Sequence, residues 1–351
     1  MKGMVTLTRA ALSEPVSRTP VWFMRQAGRS LPEYREAREG IAMLDACLMP
    51  DLTAEITLQP VRRHGVDAAI FFSDIVVPLK IAGMDVEIKP GVGPVFAHPV
   101  RTREDLARIP DLTAEMCHAI SQAVTLTREG LPDDTALIGF AGAPFTVASY
   151  LIEGGPSKNH EKTKAMMLGD PELFSAILSK LAHMSATFIQ AQLDAGAHAF
   201  QLFDSWAGYL NRADYERYVL PHSRTVFDAL AHNDVPSIHF GVTTGELLGS
   251  MSRAGSSVMG VDFRVALEDA SKRVQPGQAL QGNLDPALVF APWEVIESKI
   301  EDIVRAGLRH GGHIFNLGHG VLPTSDPTVL TRIVEEVHTM SARLIASGEF
   351  A

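Results

Sequence analysis

Residues 67–74 read Asp-Ala-Ala-Ile-Phe-Phe-Ser-Asp, an apolar run that opens and closes on a carboxylate. A strand with one wet face alternates polar and apolar residues, whereas a parallel strand covered on both faces is apolar throughout. The run therefore predicts a buried parallel strand with Asp74 at its exit. Parallel strands need long crossovers, and a stretch of helical period at 51–64 leads into this one. Seven further runs share the pattern: 20–25 (Pro-Val-Trp-Phe-Met-Arg), 135–141, 198–205, 235–241, 256–262, 278–285 and 312–319. Helical period returns between them at 170–195, 214–231, 286–307 and 327–346, with Pro171, Pro286 and Pro327 in first turns.

Eight such runs alternating with helices predict an α/β chain folded as a (β/α)8 TIM barrel, one domain over 1–351. The connection 75–134 breaks the rhythm. Its stretch Val-Glu-Ile-Lys-Pro-Gly-Val-Gly-Pro-Val-Phe (86–96) predicts two short extended segments about Gly91-Val92-Gly93-Pro94, and a helix is expected near 113–129. This is an excursion after strand 2, with no repeat or low-complexity linker to mark a second domain.

Of 351 residues, 46% are hydrophobic and 21% charged, enough to bury a large core. No apolar run approaches the roughly 20 residues that span a bilayer, and the N-terminus lacks the apolar stretch of a signal peptide. A cytoplasmic protein without a membrane partner is expected. The formal net charge of −10 argues against a nucleic-acid partner, which needs a basic footprint. Against that acidic trend, Arg25, Arg29, Arg35 and Arg38 crowd into fourteen residues, a basic patch suited to anions. Cys47 and Cys117 have no metal or redox spacing, and the 13 histidines show no H-x-H or H-E-x-x-H, so no metal is expected. Glycine-rich 139–144 and 153–158 fit no phosphate-loop pattern, which disfavours a nucleotide cofactor.

Barrel enzymes place reactive groups where strands end and βα loops begin, a rule that selects Arg25, Asp74, Tyr150 in the loop after strand 3, Ser205 and His319. Each has a plainer reading. Arg25 and Arg29, flanking Gly28 ahead of Pro32, form either a bidentate carboxylate clamp or a solvated, ion-paired loop. Asp74 either accepts N–H bonds from a ligand or caps the segment that follows. His319, between Gly318 and Gly320, is a proton donor, a hydrogen-bonding wall or a structural loop residue. Tyr150 and Ser205 serve equally well for packing or turn chemistry.

The run Pro20-Val-Trp-Phe-Met-Arg-Gln-Ala-Gly-Arg-Ser-Leu-Pro-Glu-Tyr-Arg35 resembles the signature of the uroporphyrinogen decarboxylase family. The resemblance continues through Phe72–Ile75, Gly139–Thr146, Leu202–Gly208, Gln281–Pro286 and Phe315–Gly320, and so spans essentially the whole chain. It departs only at Ser30, where many members have an aromatic, and at Pro156, which interrupts a Gly-Gly-Gly-Ser. It implies a single barrel, a homodimer with facing clefts, and no metal or organic cofactor. The substrate it implies is uroporphyrinogen III, whose four acetates are decarboxylated to give coproporphyrinogen III. It also implies that Arg25, Gln26, Ala27, Gly28, Arg29, Asp74, Tyr150, Ser205 and His319 bind the substrate, with Asp74 and Arg25 catalytic. The nearest alternative is a zinc-dependent corrinoid or folate methyltransferase of the same superfamily, which needs a Cys/His set with H-x-C. No such pattern surrounds Cys47 or Cys117. A tetrapyrrole carrier on the same barrel would keep the arginine clamp without needing the acid at Asp74.

Overall fold

The computed structural model describes residues 5–350. Its centre is a curled parallel sheet of seven strands: β1 (Ala68–Ile70), β4 (Ala136–Gly142), β5 (Ala199–Asp204), β6 (Ser237–Gly241), β7 (Val258–Gly260), β8 (Ala279–Gln281) and β9 (His313–Ile314). They neighbour one another in that order, each pair parallel and separated by helices. The expected strands at 67–74, 135–141, 198–205, 235–241, 256–262, 278–285 and 312–319 each coincide with one of them, β4 running one residue past its expected end, and nearly all their ladder residues are buried, as two-sided cover requires. The excursion is also present. β2 (Val86–Lys89) pairs antiparallel with β3 (Gly93–Phe96), turning through Gly91, whose φ of +75° is open to glycine.

The expected first strand, 20–25, is not a strand. It makes one parallel bridge, Val21 to Phe315. Pro20 has no N–H to give a ladder, and the backbone turns left-handed at Arg25 (φ +60°), so regular pairing cannot extend either way. Pro20–Trp22 nevertheless touches both sheet edges. Phe315 N donates to Pro20 O at 2.9 Å and Trp22 N to Phe315 O at 3.3 Å, while Asp67 N, leading into β1, donates to Val21 O at 2.8 Å.

One expected helix is divided by proline and another is locally widened. The stretch 286–307 is a 3-10 turn, Pro286–Phe290, followed by a separate helix, Trp293–His310. Pro292 lacks an N–H and holds Ala291 extended (ψ 163°). The stretch 214–231 contains a widened π turn, Tyr215–Val219, before the helix Leu220–Leu230, because Pro221 cannot donate back into the preceding turn. The helices Pro50–His64, Pro171–Asp194 and Pro327–Ala346 each begin on a proline, and all three start within a residue of expectation.

Apolar side chains fill two layers. One lies between sheet and helices; the other lies inside the curl, where Trp22, Met24, Ile70, Ile138, Phe140, Ile238, Phe240 and Ile314 meet. The helix Thr6–Ala11 closes the end where the strands begin, packing Leu7, Ala10 and Ala11 against the inner layer. Chemistry is thereby confined to the other end, where the strands exit. Cys47 and Cys117 are free and buried, as expected of small apolar residues.

Asp67 ties these parts together. Its buried carboxylate accepts from Val21 N (2.7 Å), Arg18 Nη2 (2.8 Å) and His338 Nε2 (2.6 Å), joining the segment before Trp22 and the helix Pro327–Ala346 to β1. Burial opposes its ionisation, yet the His338 bond and charge, with Arg18 and Val21 N–H, outweigh that and hold the carboxyl below its usual range. A depressed carboxyl contributes stability that is full above its unfolded value of about 4 and is lost as pH falls through the folded value. Asp67→Ala orphans three buried or half-buried donors and is expected to cost about 3–5 kcal/mol in denaturant melts at pH 7. The difference from the parent should shrink below about pH 4, where the parental carboxylate is itself being lost. A mutant as stable as the parent at pH 7 would show that the clasp is dispensable.

Candidate active site

The strand-exit end carries all five residues selected by position. Arg25 leaves the Pro20–Trp22 segment, Asp74 follows β1, Tyr150 follows β4, Ser205 follows β5 and His319 follows β9. Tyr150 is a correction: it lies on the helix Pro144–Glu153, which starts immediately after β4 on Pro144, and not in a loop.

The arginine loop is shaped by its backbone. Arg25 occupies the left-handed region, which costs a non-glycine residue of the order of 1 kcal/mol and is a signature of constrained functional positions. Its side chain lies against Gly320, where an added Cβ would stand 2.6 Å from Arg25 Cδ. Arg25 and Arg29 are exposed, and among the described residues neither enters a salt bridge. Arg38 does not join them. Its guanidinium bonds Tyr34 Oη, Met43 Sδ and Ile41 O, so the basic patch read from the sequence is smaller in space. Gln26 turns the other way: it is fully buried, its Oε1 accepts from Phe23 N and its Nε2 donates to Ala68 O. Its side chain and its own N–H, which donates to Phe23 O at 3.1 Å, anchor the loop, while Ala27 and Gly28 are half-buried beside it.

The capping role read for Asp74 is present. Oδ1 accepts from Val76 N at 3.0 Å, a local cap, while the half-buried carboxylate faces the positive charge of Arg25. Burial pushes its carboxyl up, against the pull of the Val76 N–H and Arg25. Asp74 in turn lies near Tyr150, whose phenol burial and the Asp74 charge push up to about 12. Tyr150 packs its ring 5.7 Å from Trp206. One turn earlier on the same helix, Thr146 Oγ1 donates to the buried Asp204 at 2.8 Å and accepts from Trp206 N at 3.1 Å. The β5 exit, with half-buried Ser205, is thus fastened to the helix that carries Tyr150.

His319 closes the ring of side chains. Its Nδ1 accepts from Gly320 N at 2.7 Å, so a neutral imidazole carries its proton on Nε2 and donates from there. Burial lowers its pKa, and the charges of Arg25 and Arg264 lower it further against Asp262. A neutral donor flanked by cations suits a carboxylate better than it suits proton delivery. Asp262 and Arg264 escaped the sequence reading, although Asp262 ends the run 256–262 just as Asp74 ends 67–74. The positional rule could have found them. Among the described residues, no three His, Cys, Asp or Glu side chains gather as a metal-binding group.

The profile of the family described as Uroporphyrinogen decarboxylase (URO-D) matches residues 3–340. A uroporphyrinogen decarboxylase of Streptomyces coelicolor is 62% identical over 335 residues, covering 95% of this chain and 94% of that protein. One of Nocardia farcinica is 57% identical over 355 residues, covering 97% and 100%. Among solved structures, a methyltransferase from Methanosarcina mazei superposes with a TM-score of 0.79 at 16% identity, covering 96% of this chain and 99% of that one. At that identity the likeness concerns the fold alone.

The electrostatics of His319 can be read directly by NMR titration of its imidazole. Its midpoint should lie below the ordinary value of about 6.5, and Arg25→Ala should raise it by removing one of two adjacent charges. A midpoint at or above 6.5 in the parent would overturn the neutral-donor assignment.

Proposed function

The chain belongs to the uroporphyrinogen decarboxylase family and is a carboxy-lyase, and from the geometry of its strand-exit end we propose how it converts the four acetates of uroporphyrinogen III to methyls, yielding coproporphyrinogen III. The observation that carries the mechanism is Asp74, a carboxylate at the mouth of the sheet with one oxygen engaged by Val76 N–H, which feels the charge of Arg25 and whose own charge acts on Tyr150.

Losing CO2 from an acetate leaves an electron pair that needs a sink. Protonation of the ring carbon beside the acetate-bearing carbon makes the pyrrole cationic, so the C–C bond to the carboxylate can break with its electrons entering the ring. CO2 departs, and a second proton added to the exocyclic carbon gives the methyl while the ring proton is returned. The pyrrole thus supplies the sink within the substrate. Asp74 accepts the converging pyrrole N–H bonds and opposes the positive charge that develops, an electrostatic role strengthened by burial. Arg25 orients the reacting acetate; Arg29, Tyr150, Ser205, His319 and the backbone of Ala27 and Gly28 hold other carboxylates, on a loop that Gln26 anchors from beneath.

The same proposal takes all 351 residues as one (β/α)8 barrel domain, with Pro20–Trp22 as the eighth stave supported by its bonds to both sheet edges. The homodimer and the cytosolic location are carried by the family resemblance; no described helix is long and apolar enough to cross a membrane.

Anaerobic incubation with uroporphyrinogen III, followed by chromatography of the oxidised products, tests the reaction; absence of coproporphyrin would overturn it. Asp74→Asn keeps an acceptor for Val76 N–H but removes the charge. It should melt like the parent while kcat falls by at least about a hundredfold, and coproporphyrinogen affinity should hold or improve as repulsion of the polyanion is relieved. Parental turnover in that variant would leave Asp74 a cap. Arg25→Ala and Arg29→Ala should each lower kcat/KM about ten- to a hundredfold, the loss of one charge-assisted bond. Because Asp74 must be ionised and its carboxyl is already raised, activity should fail as pH drops through that value. Arg25→Ala, removing an attraction, should move this acid limb to higher pH.

A further inference from the structure

We propose that Arg264 is a further carboxylate-binding residue of this site, extending Arg25 and His319 into a row of three donors; this rests on the reading of the reaction given above. Carboxylates project from all four pyrroles of the macrocycle, so anionic groups meet the rim around its whole circumference. The side chains already named follow the Pro20–Trp22 segment, β1, β4, β5 and β9. Loops leaving β6, β7 and β8 at 242–246, 261–266 and 282–286 contain one lysine or arginine, Arg264. It follows β7, four places along the sheet from the β1 exit that carries Asp74.

Two glycines bring the row together. Gly320 makes room for the Arg25 side chain, and Gly318 lies so close to the Phe263 backbone that any Cβ there would collide with it. His319, between these glycines, is therefore flanked by Arg25 on one side and Phe263-Arg264 on the other. Its Nε2–H is the central donor.

The guanidinium of Arg264 is held in place before any ligand arrives. Nη1 donates to Asp262 Oδ2 at 2.9 Å, and the group lies over the Phe263 ring, 4.2 Å from its centroid. Asp262 is itself buried and held by the N–H groups of Thr243 and Arg264. An arginine fixed by a carboxylate and an aromatic plane sacrifices little rotamer freedom when it binds. With one N–H engaged by Asp262 and 48% of the side chain exposed, the rest of the fork can take a carboxylate. The Asp262 charge offsets part of the attraction, so the effect expected is that of an oriented hydrogen bond rather than of a free cation.

R264A, R264K and R264Q are to be compared with the parent in anaerobic turnover of uroporphyrinogen III, in calorimetric binding of coproporphyrinogen III and in thermal melts. In R264A, KM and the product Kd should rise about tenfold, with kcat within about threefold and the melting temperature within a few degrees. R264K, which keeps the charge without the fork, should recover part of the affinity. If R264A fails to fold, R264Q decides, since its amide can still bond Asp262. Parental KM and Kd in the folded uncharged variants, or a lower melting temperature with unchanged Kd, would reduce Arg264 to a loop pin and overturn the inference while leaving the reaction standing. A parent that does not turn over uroporphyrinogen overturns the reading of the reaction and the inference with it.

Discussion

The three hydrogen bonds received by the Asp67 carboxylate set where the rest of the site stands. Pro20–Trp22 cannot pair as a strand because proline removes a donor at one end and the left-handed turn of Arg25 ends the ladder at the other. Main-chain bonding alone would leave that segment weakly fixed at the gap between β1 and β9. The buried acid fastens it through Val21 N, while Arg18 and His338 balance the charge. Thr19 N, bonded to Ser341 Oγ at 2.9 Å, repeats the attachment to the helix Pro327–Ala346. Arg25 and Arg29 come directly after this segment, so their distance from Asp74 is governed by an interaction at the opposite end of the strand.

A polar chain carries that rigidity through the interior. Trp22 Nε1 donates to Gln281 Oε1 at 3.0 Å, and Gln281 Nε2 donates to Gln201 Oε1 at 2.8 Å, linking the arginine segment to β8 and β5 beneath the site. Met24 N reaches Asn316 Oδ1 at 3.1 Å, close to His319. Buried amide networks are costly when incomplete and rigid when satisfied. Here Gln201 Nε2 and Asn316 Nδ2 have no partner among the described residues, so the chain ties the arginine segment to β5 and β8 without being fully satisfied.

An acidic protein that binds a polyanion must separate its general charge from its local charge. Among the described residues the arginines of the 25–29 loop are exposed and without salt bridges, whereas the carboxylates near the mouth are buried or half-buried and engaged: Asp74 by Val76 N–H, Asp204 by Thr146, Asp262 by Thr243 and Arg264. A carboxylate placed deep acts on the centre of a ligand, and guanidiniums placed high act on its edge.

Sequence alone determined the parallel α/β class and seven of the eight expected strands with their exits, because two-sided burial forces continuous apolar runs and a residue that ends such a run must stand at the rim. Arg25, Asp74, Ser205 and His319 were legible for that reason, and the resemblance of 20–35 to a family signature supplied the chemistry. Periodicity could not reveal that 20–25 makes a single bridge, that Pro292 divides one expected helix or that Pro221 leaves a widened turn in another, since those outcomes depend on which N–H groups find partners. Only the tertiary structure decided that Gln26 faces the core, that Arg38 is occupied by Tyr34 and Ile41, and that Arg264 stands beside His319. Residues 264 and 319 lie 55 positions apart in the chain. They meet because Gly318 lets the β9 exit close onto the backbone of Phe263, a contact between strands that no local pattern encodes.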